Sequence, residues 1–179
     1  MHRRFALILA ATLMSPFSQM ALAAPAQGGF SFASIDGGAI DLDTLRGRPV
    51  LVVNTASLCG FANQFNDLQA LQDRYGPKGL FVLAVPSDDF NQELATGDAV
   101  KEYCTLTFDL TLPMTDITPV TGPSAHPFYA WLRDTQGFEP TWNFNKVLLD
   151  AQGKVVGTWG ASTNPTGRRI TGAIENLLP

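Results

Sequence analysis

"PVLVVNTASLCGFANQF", residues 49–65, joins a β-branched run, a tight turn carrying a cysteine and the start of a helical pattern. The run Pro49–Asn54 has the short, continuous apolar character of a buried strand. From Ala62 to Tyr75 the apolar residues Phe65, Leu68, Leu71 and Tyr75 recur at helical spacing, and Gly76-Pro77 ends the pattern. "GLFVLAVP", residues 79–86, reads as a second buried strand. A strand, a helix and another strand in this order predict a βαβ unit with its helix on one sheet face.

Upstream, "FSFASIDGGAIDLDTL", residues 30–45, alternates on either side of Asp36-Gly37 and predicts a hairpin. Downstream, Asp98 is placed to cap a second helix running through Val100, Tyr103 and Cys104. "LTLPM", residues 110–114, reads as the start of a third strand, and His126-Pro127 opens a short helix through Tyr129 and Leu132. "KVLLDAQGKVVGTWG", residues 146–160, predicts a closing hairpin turning at Ala151–Gly153, and a last helix spans residues 170–178. The expected fold class is α/β: a thioredoxin-like fold with a central mixed sheet flanked by helices and an N-terminal β-hairpin.

The chain begins with a positive "MHRR", an apolar "FALILAATLM" and the small-residue signature "ALA" at Ala21–Ala23. This is the pattern of a secretory signal peptide, and the apolar run is short for a membrane span. The expected organisation is a signal peptide at 1–23, a linker at 24–29 and one domain at 30–179, in a periplasmic or secreted protein with no stable membrane span after processing. An uncleaved anchor is the alternative. Hydrophobic residues make up 45% of the chain and charged ones 16%, which fits a globular domain rather than a disordered tail or coiled coil. The formal net charge is −4, and loss of Arg3 and Arg4 with the leader makes it more negative. With no basic stripe, nucleic acid is excluded as a partner.

Export frames the two cysteines. In an oxidising compartment, a lone pair usually forms one structural disulfide. Closing the loop between Cys59 and Cys104 would contribute roughly 4 kcal/mol in the chain-entropy model. The position of Cys59 suggests a second reading. It sits beyond the carboxyl end of a strand, where open α/β sheets bind ligands, and just before a helix whose free N–H groups favour a thiolate. A thiolate there attacks the O–O bond of a peroxide and becomes a sulfenic acid, which a second thiol converts to a disulfide. Positions 56 and 62 are both alanine, so no CxxC dithiol is present, and Cys104 is the one candidate partner. An exported copper chaperone of this fold would want a CxxxC, but position 63 is asparagine. With one histidine left after processing, no metal site or other cofactor is expected.

"NTASLCGF", "VLAVPSDDF", "KEYCTLTFDLTLPM" and "WNFNKVLLDAQGKVV", in that order, resemble the glutathione peroxidase family over nearly all of residues 30–178. The resemblance implies reduction of hydrogen peroxide or organic hydroperoxides. It places the peroxidatic residue at Cys59, the resolving cysteine at Cys104 and the Trp-Asn pair of the active-site tetrad at Trp142 and Asn143. Trp142 carries an indole N–H and Asn143 a carboxamide. Aimed at the Cys59 sulfur, they would stabilise the thiolate and the developing negative oxygen. The cysteine pattern implies a thioredoxin-like reductant rather than glutathione, and the short loop between Leu132 and Trp142 implies a monomer.

One position departs from the family. Its tetrad glutamine falls on Asp89, within "DDF". An ionised carboxylate beside Cys59 would disfavour the thiolate. A protonated Asp89 that donates, an outward-facing Asp89 and a substitution by Gln92 all stay open. His126 invites a Cys–His reading, although Pro127 marks it as a helix-start residue. Arg168 and Arg169 read as solvated surface charge. The alternative to an enzyme is a non-catalytic thioredoxin-like binding module with a structural Cys59–Cys104 disulfide.

Overall fold

The structure, a computed structural model, describes residues 29–179. The signal peptide read at 1–23, and the linker as far as residue 28, lie outside the described residues. Strands β1 (Ser31–Ala33) and β2 (Ala39–Asp41) form the N-terminal hairpin. Its turn passes through Gly37 and Gly38 at φ of 88° and 75°, backbone that a side chain would strain.

The main sheet holds β3 (Val50–Thr55), β4 (Phe81–Pro86), β5 (Lys146–Leu149) and β6 (Val155–Trp159) in the order β4-β3-β5-β6. β3 runs parallel to β4 and antiparallel to β5, and β5 pairs antiparallel with β6. In the closing turn the Asp150 carboxylate accepts from the amides of Gln152 and Lys154, both at 2.9 Å.

Every residue of β3 is buried, because both sheet faces are covered. Leu51 and Val53 join Phe65, Leu68 and Leu71 of α1 (Gln64–Tyr75), Val100 of α2 (Gly97–Phe108) and Ile170 and Ile174 of α4 (Arg168–Glu175). Val50 and Val52 pack instead with Phe32 of the hairpin and with Phe128 and Leu132 of α3 (Pro127–Gln136). Each such side chain stabilises the fold by roughly 1.5–3 kcal/mol when taken out of water.

Four local expectations are corrected. α1 begins at Gln64 rather than Ala62, because turns fill the stretch after Cys59. Thr96 caps α2 in place of Asp98: its hydroxyl accepts from the Ala99 amide at 3.3 Å, leaving Asp98 in the first turn. "LTLPM" does not become a strand. Pro113 has no N–H to give a ladder, and the segment makes only single bridges, Met114 to Ala84 and Thr115 to Ser34. The last helix covers Arg168–Glu175, not 170–178.

A buried cation ties the sheet to two loops. Lys146 of β5 donates from Nζ to Gln64 Oε1 (2.6 Å) at the start of α1, and to the carbonyls of Ala161 (3.0 Å) and Thr163 (2.7 Å). Its removal strands Gln64 Oε1 and the Thr163 carbonyl, each costing about 1–3 kcal/mol where water cannot reach it, while the Ala161 carbonyl keeps the Gln64 Nε2 donor at 2.8 Å. Lys146→Met is expected to lower the unfolding free energy at pH 7 by about 2–4 kcal/mol, read from urea melts. Burial lowers the Lys146 pKa to about 8, so the folded chain releases this proton before the unfolded chain does. The Lys146 contribution therefore grows as pH rises through 8, and the gap between wild type and variant widens by about pH 9.5.

Candidate active site

The turn after β3, the loop after β4 and the turn before β5 meet at one end of the sheet. Asn54, buried near the end of β3, locks the third to the first. Its Nδ2 donates to the Trp142 carbonyl (3.0 Å), and its Oδ1 accepts from the Asn145 amide (3.0 Å). Phe144 between them takes a left-handed backbone at φ 62°, uncommon for a residue with a side chain. Its ring is fully buried and packs edge-on against Phe65 at 5.2 Å. Core packing and the Asn54 clamp thus hold the Trp142–Asn145 turn in an otherwise unfavourable shape.

Cys59 lies in the turn between β3 and α1, its residue only 5% exposed. Its Sγ accepts a hydrogen bond from the Phe61 amide at 3.4 Å, the single donor to this sulfur among the described residues. The turn is tied to the loop after β4 at two points: the Leu58 amide donates to the Gln92 carbonyl (2.9 Å), and the Ser57 amide to Glu93 Oε1 (3.0 Å). On this turn and the one before β5, Leu58 is 60% exposed and Trp142 41%, with Phe90 packed 5.4 Å from the Trp142 ring.

Asp89 does not join this group. Its carboxylate accepts from the amides of Val120 and Thr121, the second at 2.9 Å, and so braces the loop before α3. Gln92 takes the inward place: its Oε1 accepts from Asn143 Nδ2 at 3.2 Å. Asn143 is fully buried, its Oδ1 has no hydrogen-bond partner, and its amide is turned to Gln92 rather than bonded to Cys59. The indole of Trp142 likewise makes no hydrogen bond to the sulfur among the described residues. His126 caps α3, with Nδ1 accepting from the Phe128 amide, Nε2 3.0 Å from the Ser31 carbonyl and its ring stacked on Phe32. These contacts fix it on the hairpin, so the Cys–His reading is set aside.

Cys104 points from α2 into the core and is 1% exposed. Both cysteines are free thiols and belong to one continuous apolar cluster. Burial, with a smaller contribution from the charge of Glu93, pushes the Cys104 thiol up to about 12. The Ser57 hydroxyl lies beside this thiol and beside the Glu93 carboxyl.

Asn54, Ser57, Glu93 and Asn145 were not singled out from sequence. The available signal was polar side chains at or beside strand ends, a pattern shared with ordinary caps and turns. Comparison with known proteins supplies the context. The glutathione peroxidase family model matches residues 29–133. Hydroperoxy fatty acid reductase gpx1 of Synechocystis sp. is 38% identical over 161 residues, covering 84% of this chain and 94% of that protein. Glutathione peroxidase 7 of Mus musculus is 43% identical over 154 residues, covering 83% and 82%. The solved apo structure of Trgpx superposes with a TM-score of 0.64 at 32% identity, covering 87% of this chain and all (100%) of that one. The MTB dsbF structure, in mixed oxidized and reduced forms, reaches 0.60 at 16% identity over 87% and 99%, a likeness of fold alone. Agreement in sequence over most of the chain, on a shared thioredoxin-like fold, leads to one assignment: the chain belongs to the glutathione peroxidase family, peroxidases among the oxidoreductases.

Proposed function

We propose that the protein is a thiol peroxidase in which Cys59 attacks the hydroperoxide, Cys104 resolves the product and a thioredoxin-like dithiol protein restores both thiols. The observation that carries this reading is the setting of Cys59: a sulfur accepting a main-chain N–H at a strand-to-helix turn, which the loop after β4 braces at Leu58 and Ser57. The Cys59 thiolate displaces water or an alcohol from the peroxide and becomes a sulfenic acid. Leu58, Phe90 and Trp142 present an apolar rim suited to organic hydroperoxides as well as hydrogen peroxide, in keeping with the relative named a hydroperoxy fatty acid reductase. The leader pattern supports export to the periplasm or beyond, and the short connection from α3 to Trp142 supports a monomer.

Disulfide formation needs the two Cα atoms within about 7 Å, which a cysteine on an intact helix α2 does not readily reach. α2 is lightly held. Val100 and Cys104 are its only buried residues, and the Cys104 flank borders a hollow lined by Ile35, Lys101, Thr105 and Leu110. Tyr103 and Phe108 pack partly buried against the core, Phe108 with its ring 5.2 Å from Phe65, so opening this turn means releasing those two rings and Cys104. In this reading α2 unwinds around Tyr103–Phe108 during turnover.

Three measurements test the reading. Pre-reduced mature protein given one equivalent of an organic hydroperoxide is expected to lose both thiols in wild type and one in Cys104→Ser; two surviving thiols in wild type would restore the structural-disulfide module. Amides of Tyr103–Phe108 are expected to exchange faster in the disulfide form than in the reduced form, and equal rates would refute unwinding. Gln92 orients Asn143 while Asp89 faces away, so Gln92→Ala is expected to slow peroxide reduction by about tenfold or more, and Asp89→Asn by less than about threefold. The reverse order in stopped-flow rates would return the tetrad position to Asp89.

A further inference from the structure

Beside the resolving cysteine lies a set of buried polar atoms that the fold leaves incomplete. Glu93 is 8% exposed, and its Oε1 accepts from the amides of Ser57 (3.0 Å) and Leu94 (2.8 Å). Its Oε2 is fully buried with no hydrogen-bond partner, and so is the Ser57 hydroxyl. Buried polar atoms are nearly always paired, because an unpaired one loses its water and gains nothing. Here two orphans adjoin one another and the Cys104 thiol. Ser57 also stands on the same turn as Cys59, two residues before it. The fold therefore runs a polar line from a carboxylate, through a hydroxyl, to the one buried thiol that must lose a proton.

We propose that Glu93, acting through the Ser57 hydroxyl, takes the proton that the Cys104 thiol sheds before it attacks the Cys59 sulfenic acid. The proposal rests on the Cys59–Cys104 cycle above. As α2 loosens, the Cys104 proton passes to Ser57 Oγ while the hydroxyl proton passes to Glu93 Oε2. The Cys104 sulfur, now a thiolate, gives an electron pair to the Cys59 sulfur. The S–S bond forms, the Cys59 S–O bond breaks, and the oxygen leaves as hydroxide. The proton held by Glu93 converts that hydroxide to water, so Cys104 is oxidised, the sulfenic sulfur is reduced and no further reagent is consumed. Ser57 stands beside the thiol as the relaying group, and Glu93 acts through it.

The carboxylate must be ionised to accept. Burial raises the Glu93 pKa, with the Asp88 carboxylate adding to the rise and the bonds from Ser57 and Leu94 opposing it. Asp88, whose Oδ1 accepts from the Glu93 amide at 3.1 Å, and the Cys104 thiol are the titratable groups facing it. The rate of disulfide formation is thus expected to fall as pH drops through a midpoint above the usual carboxylate range.

The test is a single turnover of full mature protein with hydrogen peroxide in a stopped-flow instrument. Trp142 fluorescence follows the reaction, and mass spectrometry of dimedone-trapped Cys59 separates sulfenic-acid formation from disulfide formation. Glu93→Gln keeps an oxygen for the Ser57 and Leu94 amides but cannot accept a proton. It is expected to slow disulfide formation about 100-fold, to abolish the acid limb of that step's pH profile and to change sulfenic-acid formation by less than about threefold. Ser57→Ala is expected to slow the same step about tenfold. Disulfide formation at wild-type rate in Glu93→Gln, or equal losses in both steps, overturns the proposal. If Glu93→Gln does not fold, Ser57→Ala decides: selective slowing of the second step supports the relay, and an unchanged rate overturns it. A wild type that forms no Cys59–Cys104 disulfide overturns the underlying cycle instead.

Discussion

The buried carboxamide of Asn54 holds this molecule's functional end together. At the end of the central strand, donor and acceptor of one side chain are both spent on the Trp142–Asn145 turn, and the backbone beside them carries a left-handed phenylalanine. The main chain reinforces that clamp: the Asn54 amide donates to the Asn145 carbonyl (3.2 Å), and the Asn54 carbonyl accepts from the Phe144 amide (2.6 Å). With it, Asn143 is delivered to Gln92, Phe144 to the core, and Trp142 to Phe90. One amide in a dry setting, fully satisfied, thereby specifies the relative placement of segments nearly 90 residues apart in sequence (88 for the pair Asn54–Trp142).

The loop after β4 shows the complementary use of polarity. Its Asp89 and Glu93 are both acidic and each accepts two main-chain amides, yet they differ in what remains. Asp89 bonds the edge of a loop that precedes α3 and leaves the sulfur chemistry alone. Glu93 is sealed beneath the cysteine turn with one oxygen idle. Exposure to solvent at Asp89 and a buried, idle oxygen at Glu93 separate a loop-bracing carboxylate from one with capacity left for a proton.

Much of this was legible in the sequence because period and punctuation report burial and turns. The continuous apolar run Val50–Val53 was met by two packed faces, and the helical spacing of Phe65, Leu68, Leu71 and Tyr75 became the buried side of α1. Cys59, Cys104, Trp142 and Asn143 stood out by residue type and motif. The helix limits failed where caps compete: Thr96 and Asp98 are both good caps, and only three-dimensional geometry chose between them. "LTLPM" carried a strand's apolarity, but Pro113 removed the donor that a ladder needs. Asp89 and Gln92 are three positions apart, and which one turns inward is set by the amides of residues 120 and 121, contacts of long sequence range. Glu93 and Ser57 gave no local signal, since their meaning depends on the absence of partners in a folded interior.

The bridges from residues 113–115 have a further effect on how the sheet meets other chains. The outer edge of β4, continuous with the most apolar strands, is covered there by Met114, and Thr115 passes the contact on to the N-terminal hairpin. A proline-interrupted segment thus occupies hydrogen-bonding positions without becoming a strand that would itself offer a new edge. The opposite margin, β6, is short and half-exposed. Growth of the sheet by addition of foreign strands is therefore obstructed on its hydrophobic side.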